Sequence, residues 1–190
     1  MRRVLVGFAS HQGQTEKIAH HLARQLEDRG LAVRLVDMIG AAQAGESDAG
    51  ADDCDAAILA GSLHLGRYDA ALASFLMRHG PAIGRGPSAF VTVSLSAASE
   101  DETERRAVEE IAQRFLYETG WLPEHVLHAA GAIHDRRMNP VERFALHAIA
   151  DAHGLDRHPS GDTELTDWAA LDRFARDFVG EVKARPVASR

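Results

Sequence analysis

A single cysteine, Cys54, is the only thiol in 190 residues, so no internal disulfide can form and a disulfide-stapled secreted scaffold is excluded. Long apolar runs are also missing, and nothing approaches the roughly 20 residues that span a bilayer. Met1-Arg2-Arg3-Val4-Leu5-Val6 opens like a signal n-region, but the apolar run breaks at Ser10-His11-Gln12, too early for a signal peptide. Basic residues are in deficit, with 21 Lys and Arg against 28 Asp and Glu. The resulting net charge of -7 argues against a nucleic-acid-binding module, which needs a basic face for phosphates. The Gly-Lys-Ser/Thr of a P-loop, the Gly-x-Gly-x-x-Gly dinucleotide fingerprint and the His-Glu-x-x-His zinc motif are all absent. Eleven histidines do not make up for the last. His20 and His21 point to different helix faces, and His147, His153 and His158 lack cysteine partners, so no metal is expected.

What is present is an ordinary globular composition, 45% hydrophobic and 26% charged, long enough for one domain with its own core. Short aliphatic runs alternate with longer amphipathic stretches. Arg3–Phe8, Ala32–Val36, Ala56–Ala60, Ser88–Leu95 and His125–Ile133 read as strands. Helices are expected from Thr15 to about Gly30 (Ile18, Leu22, Leu26 inward), over Asp69–His79, over Asp101–Thr119 and over Asp167–Val182. Gly40 to Asp53 lacks periodicity and reads as a loop with at most one helical turn. Strands alternating with helices imply an α/β fold, parallel strands joined by right-handed crossovers. The stretch 134–165 breaks the rhythm. It carries an expected helix over Val141–Ala152 and a polar loop with Gly154, Pro159 and Gly161, longer than packing requires and therefore a functional candidate.

In an open parallel sheet, ligands gather at the carboxyl ends of the strands. Ser10-His11-Gln12-Gly13-Gln14-Thr15 joins the first strand to a helix N-terminus, where free N–H groups and the dipole suit a phosphate held by neutral donors. An ordinary turn and N-cap is the competing reading, and Lys17 reads as a solvated surface residue. Gly61-Ser62-Leu63-His64-Leu65-Gly66-Arg67-Tyr68 exposes apolar residues that a flat ring could cover, with His64 or Tyr68 stacking on it. Packing of Leu63 and Leu65 under a neighbouring loop is the alternative. Ser94-Leu95-Ser96-Ala97-Ala98-Ser99 is small and hydroxyl-rich, fit to offer backbone groups to a ring edge or to cap the following helix.

Taken together, these loops resemble those of the flavodoxin-like proteins, and within them the menaquinone-dependent protoporphyrinogen IX dehydrogenases. The likeness also takes in Pro87-Ser88-Ala89-Phe90, Gly120-Trp121-Leu122-Pro123, Ala130-Gly131-Ala132 and Thr166-Asp167-Trp168, and so runs over nearly the whole chain. It implies a three-layer flavodoxin-like sandwich, one domain over 1–190, with the five-stranded parallel sheet in the order 2-1-3-4-5 and helices on both faces. It also implies an FMN cofactor. Ser10, His11, Gln12, Gly13, Gln14 and Thr15 would wrap the phosphate. Gly61, Ser62, Leu63, His64, Leu65 and Gly66, with Tyr68, and Ser94, Leu95, Ser96 and Ala97 would flank the isoalloxazine ring. The implied activity is oxidation of a porphyrinogen with a quinone as acceptor, in heme biosynthesis. The excursion 134–165 would lie on the substrate side, and Arg67, Arg136, Arg137 and Arg143 are candidates for the propionates. The implied setting is cytoplasmic, with peripheral contact at the inner face of the membrane left open. A plain flavodoxin-type electron carrier and a flavodoxin-like binding protein without cofactor stay open beside it. Catalytic side chains and oligomeric state are not assigned.

Overall fold

A computed structural model describes residues 1–45, 51–134 and 162–185. Its element order is β1 (Arg3–Ala9), α1 (Gln14–Glu27), β2 (Ala32–Asp37), α2 (Met38–Gln43), β3 (Ala56–Ser62), α3 (Ala70–Ile83), β4 (Ser88–Ser94), α4 (Glu102–Thr119), β5 (His125–Ala130), β6 (Ala132–His134), β7 (Asp162–Glu164) and α5 (Trp168–Ala184). Short 3-10 turns cover Ala51–Asp53 and Ser96–Ala98. The main sheet runs β2-β1-β3-β4-β5, every pairing parallel. This is the flavodoxin-like order.

Burial follows strand position. β1, β3 and β4 lie in the middle of the sheet and are buried almost throughout, whereas β2 and β5 form the edges and are only partly covered. Successive β1 residues serve opposite layers, as the two-residue strand period requires. Val4, Val6 and Phe8 pack with Ile18, Leu22 and Leu26 of α1 and with Leu171 and Phe178 of α5. Leu5 packs on the other side with Leu72 and Leu76 of α3, Phe115 of α4, and Trp121. Each such aliphatic side chain, taken out of water, stabilises the fold by about 1.5–3 kcal/mol. No helix among the described residues is long and apolar enough to cross a membrane.

Several expected boundaries move. α3 does not stop at Gly80-Pro81 but runs through both to Ile83. Pro81 gives up the hydrogen bond its N–H would make to the carbonyl four residues back, and the helix continues past it with Gly80 held against the buried Trp121. α2 starts two residues ahead of the expected loop and runs into it, its first turn capped by Asp37, whose Oδ1 accepts from Ile39 N at 3.0 Å. The fifth strand ends at Ala130 rather than Ile133. Past Gly131 the chain leaves the sheet, and Ala132–His134 pairs antiparallel with Asp162–Glu164. That two-stranded ribbon brackets the excursion. The helix expected over 141–152, the loop after it, and Arg136, Arg137 and Arg143 lie outside the described residues.

Candidate functional site

Strand order places the candidate loops. From β1 the chain crosses to β2 on one side, then returns past β1 to β3 on the other, so the loops leaving β1 and β3 diverge. Such a switch point opens a crevice at the carboxyl ends of the strands. The loop after β4, the next strand over, borders it.

The first loop turns into α1 through Gly13, at φ +94°, a left-handed conformation that any side chain strains. Ser10 Oγ accepts from Gly13 N at 3.1 Å, folding the loop back on itself. No side chain caps α1. Each of the other described helices begins with an aspartate that accepts from its first turn: Asp37, Asp69, Asp101 and Asp167. An aspartate at position 13 would repel an anion, whereas a glycine leaves the positive end of the dipole open to one. Gln14 and Thr15 are buried beneath this turn. Gln14 Nε2 donates to Thr166 Oγ1 at 2.8 Å and to Glu164 Oε1 at 3.3 Å, and Thr166 Oγ1 donates onward to Ala130 O at 2.8 Å. Gln14 Oε1 is one of two buried side-chain polar atoms without a partner among the described residues. Buried groups of this kind are normally satisfied, so the loop retains acceptor capacity. His11 and Gln12 are exposed. His11 Nε2 donates to Asp69 Oδ2 at 2.8 Å, joining this loop to the next.

The second loop is a tight hairpin. Leu63 N donates to Val93 O at 2.8 Å, then His64 and Arg67 exchange backbone hydrogen bonds at 2.9 and 3.0 Å. The two residues between them, Leu65 (φ 49°) and Gly66 (φ 75°), both have positive φ, the pattern of a type I′ turn. A bulky residue is rarely held there, yet Leu65 is, with 86% of its surface exposed. His64, Leu65, Gly66 and Arg67 are thus outward at the rim, while Ser62 and Leu63 are half-buried. Gly61 lies in β3 under Leu72 and Tyr68, which leave no room for a Cβ.

Tyr68 departs from its expected place on a ligand ring. Its ring packs on Phe115 (4.5 Å between centroids) and Phe90 (5.2 Å), and its hydroxyl meets Thr92 Oγ1 at 2.6 Å. Burial pushes its pKa up to about 12, against a smaller lowering by the Thr92 hydrogen bond. Apolar neighbours and a buried hydroxyl partner hold this ring in the core.

In the third loop the Ser94 hydroxyl and carbonyl are held by backbone N–H groups. Ser94 Oγ accepts from Ala97 N at 3.1 Å, and Ser94 O accepts from Gly131 N at 3.0 Å. Ser94 is buried, and Leu95, Ser96 and Ala97 are half-buried in a 3-10 turn. The structure therefore brings three loops to the carboxyl ends of the adjacent parallel strands β1, β3 and β4. It also adds Asp69, Thr166 and Glu164, which the sequence reading left out. Of these only Asp69 carried a local signal, an Asp ahead of a helical pattern.

A family model described as Flavodoxin domain matches residues 5–160. The chain is 27% identical over 176 residues to the protoporphyrinogen IX dehydrogenase (quinone) of Escherichia coli (strain K12), covering 93% of this chain and 94% of that protein. It is 29% identical over 191 residues to the protein of the same name from Leishmania major, covering 98% and 80%. Among solved structures, oxidised flavodoxin 1 from Bacillus cereus matches with a TM-score of 0.56 at 15% identity, covering 94% of this chain and 97% of that one. At that identity the likeness is one of fold.

Proposed function

The chain belongs to the flavodoxin domain family, whose cofactor is FMN, and from that premise we propose that it is an oxidoreductase that dehydrogenates a porphyrinogen and passes the electrons to a quinone. Flavodoxin-type oxidoreduction is the coarser statement, resting on the family. The porphyrinogen and the quinone are drawn from the names of two relatives aligned over 93% and 98% of the chain.

The observation that carries the reading is the opening of α1: a buried, side-chain-uncapped helix start at the switch point, in a protein whose other described helices start on aspartate. Ser10, His11, Gln12, Gly13, Gln14 and Thr15 would hold the phosphate, chiefly through N–H groups of the first helical turn. Gly61 to Gly66 and Ser94 to Ala97 would border the ring, with Leu65 keeping water from its edge. Tyr68 supports the hairpin from below instead of touching the ring. His11 holds the two loops together through Asp69. When bound, FMN supplies the electron transfer, so the polypeptide needs no nucleophile or acid–base triad of its own. Arg67, exposed on the hairpin, is our candidate for a substrate carboxylate. We read the chain as one domain, with the excursion 134–165 on the substrate side.

The test is a visible spectrum of protein purified with ample FMN, followed by an anaerobic assay of protoporphyrinogen with a quinone. Stoichiometric flavin and quinone-dependent porphyrin formation are expected. Protein that refuses FMN overturns the oxidoreductase reading. Protein that binds FMN but leaves the porphyrinogen untouched is an electron carrier instead.

A further inference from the structure

A groove of about 640 Å³ runs along α1 beside the start of α5. Its size falls within the range of small-molecule sites, roughly 300–1,000 Å³. Lys17, His20, His21 and Arg24 line it from α1, at three- and four-residue spacing, so His20 and His21, expected on different helix faces, both border the one groove. Trp168, from the first turn of α5, forms a flat wall, its ring tilted against His21 with centroids 4.9 Å apart. Of the loop 10–15, only Gly13 reaches the groove.

The charges in the groove are unequal in availability. His20 Nε2 lies 3.9 Å from Glu16 Oε1, which also lines the groove, and His21 Nε2 lies 2.7 Å from Asp172 Oδ1. Lys17 and Arg24 make no ion pair among the described residues. They are seven positions apart, so their points of attachment are about 10 Å apart along the helix. In a chain of net charge -7, two cations without an ion pair among the described residues, flanking an aromatic wall, single out one kind of occupant. It is anionic, extended over about that distance, and carries a flat ring.

We propose that this groove binds a nucleoside diphosphate, with the phosphates between Lys17 and Arg24 and the base against Trp168. Guanidinium and ammonium groups supply charge-assisted hydrogen bonds to phosphate oxygens, and a base presents a π-face to the indole. A membrane surface is disfavoured, because the groove has one aromatic residue rather than an apolar face, and the protein as a whole is acidic. The groove meets the proposed phosphate loop at Gly13 alone, and its Lys17, Arg24 and Trp168 are not among the residues assigned to the flavin.

The test is calorimetric titration of FMN-saturated protein with ADP, and with adenosine and pyrophosphate separately. ADP is expected to bind more tightly than either fragment. Lys17→Gln and Arg24→Gln are each expected to weaken it about tenfold, the effect of losing about 1.4 kcal/mol of contact, with FMN binding unchanged. Trp168→Phe keeps a ring and guards against simple unfolding by Trp168→Ala, so it is expected to retain more ADP affinity than the alanine variant. Failure of ADP to bind, or ADP binding untouched by both charge substitutions, overturns the proposal. So does pyrophosphate binding as tightly as ADP, since the base then contributes nothing. Displacement of ADP by added FMN would place the anion in the phosphate loop and would overturn it as well.

Discussion

Replacing Gly13 by alanine separates the conformational task of this residue from its contribution to a ligand, because α1 carries a matched control at its far end. Gly13 (φ +94°) and Gly30 (φ +84°) both have positive φ, and a Cβ added to either meets no atom within 4 Å. Neither substitution makes a clash, so the cost in each case is backbone strain. The left-handed region costs a non-glycine residue roughly 1–2 kcal/mol. The restricted unfolded chain returns about 0.4–1 kcal/mol. Each variant is therefore expected to lose about 1 kcal/mol of stability, a fall of about 2–4 °C in Tm for a chain of this size. Ligand affinity should divide them. Gly13 N is held by Ser10 Oγ, and the left-handed turn at Gly13 sets the direction of the first-turn N–H groups, whose charge-assisted hydrogen bonds to the proposed phosphate are worth roughly 1.5–3 kcal/mol each. Gly30 lies beyond the C-terminus of the same helix. Fluorescence titration with FMN is expected to show Gly13→Ala binding at least about tenfold more weakly, with Gly30→Ala at the wild-type value. If the two variants bind FMN within about twofold of one another, the placement of the phosphate at the α1 opening is wrong.

Tyr68 sets an alkaline limit. Its pKa is about 12 in the folded protein against the ordinary value of 10.0, so stability falls as pH rises through that window, by about 2–3 kcal/mol in all. Urea denaturation at pH 9 and pH 11.5 should show this fall in the wild type and less of it in Tyr68→Phe. At neutral pH the same variant leaves Thr92 Oγ1 without its phenolic partner, at a cost of roughly 1–3 kcal/mol, with the flavin spectrum unchanged. Asp69 both caps α3 and accepts from His11, so Asp69→Ala is expected to lose about 1 kcal/mol by urea denaturation. His11→Ala removes only the exposed pair and should lose less than about 1 kcal/mol; an equal or larger loss would refute this division of roles.

Where one period dominated a segment, the sequence was readable. The buried central strands are near-continuous aliphatic runs, and α1 and α4 carry clear inward stripes. Other features depended on partners distant in the chain. α2 has two alanines and a glycine in six residues, so no amphipathic period marks it, and its start rests on the Asp37 cap. Gly80-Pro81 read as a terminator because the packing of Gly80 on Trp121, some 40 residues later, is invisible locally. Tyr68 looked ligand-facing because it follows an exposed hairpin. Thr92 and Phe115, which hold it inside, belong to two later elements. The three loops themselves were legible from their glycines and hydroxyls, but the His11–Asp69 and Gln14–Thr166 contacts between loops were not.

The hydrogen bond from Gln14 to Thr166 spans 152 residues of sequence, and the further one from Thr166 to Ala130 ties in the edge of the sheet. On a ribosome, β1 and α1 emerge some 150 residues before the residue that anchors the loop between them. The loop between β1 and α1 therefore cannot settle on this anchor until those residues have been added, and its maturation is a high-contact-order event. Until Thr166, just ahead of α5, is in place, Gln14 lacks the hydroxyl it donates to. Pulse-labelled hydrogen exchange during refolding should find protection at the start of α1 arriving with α5, after the β1–β3 core.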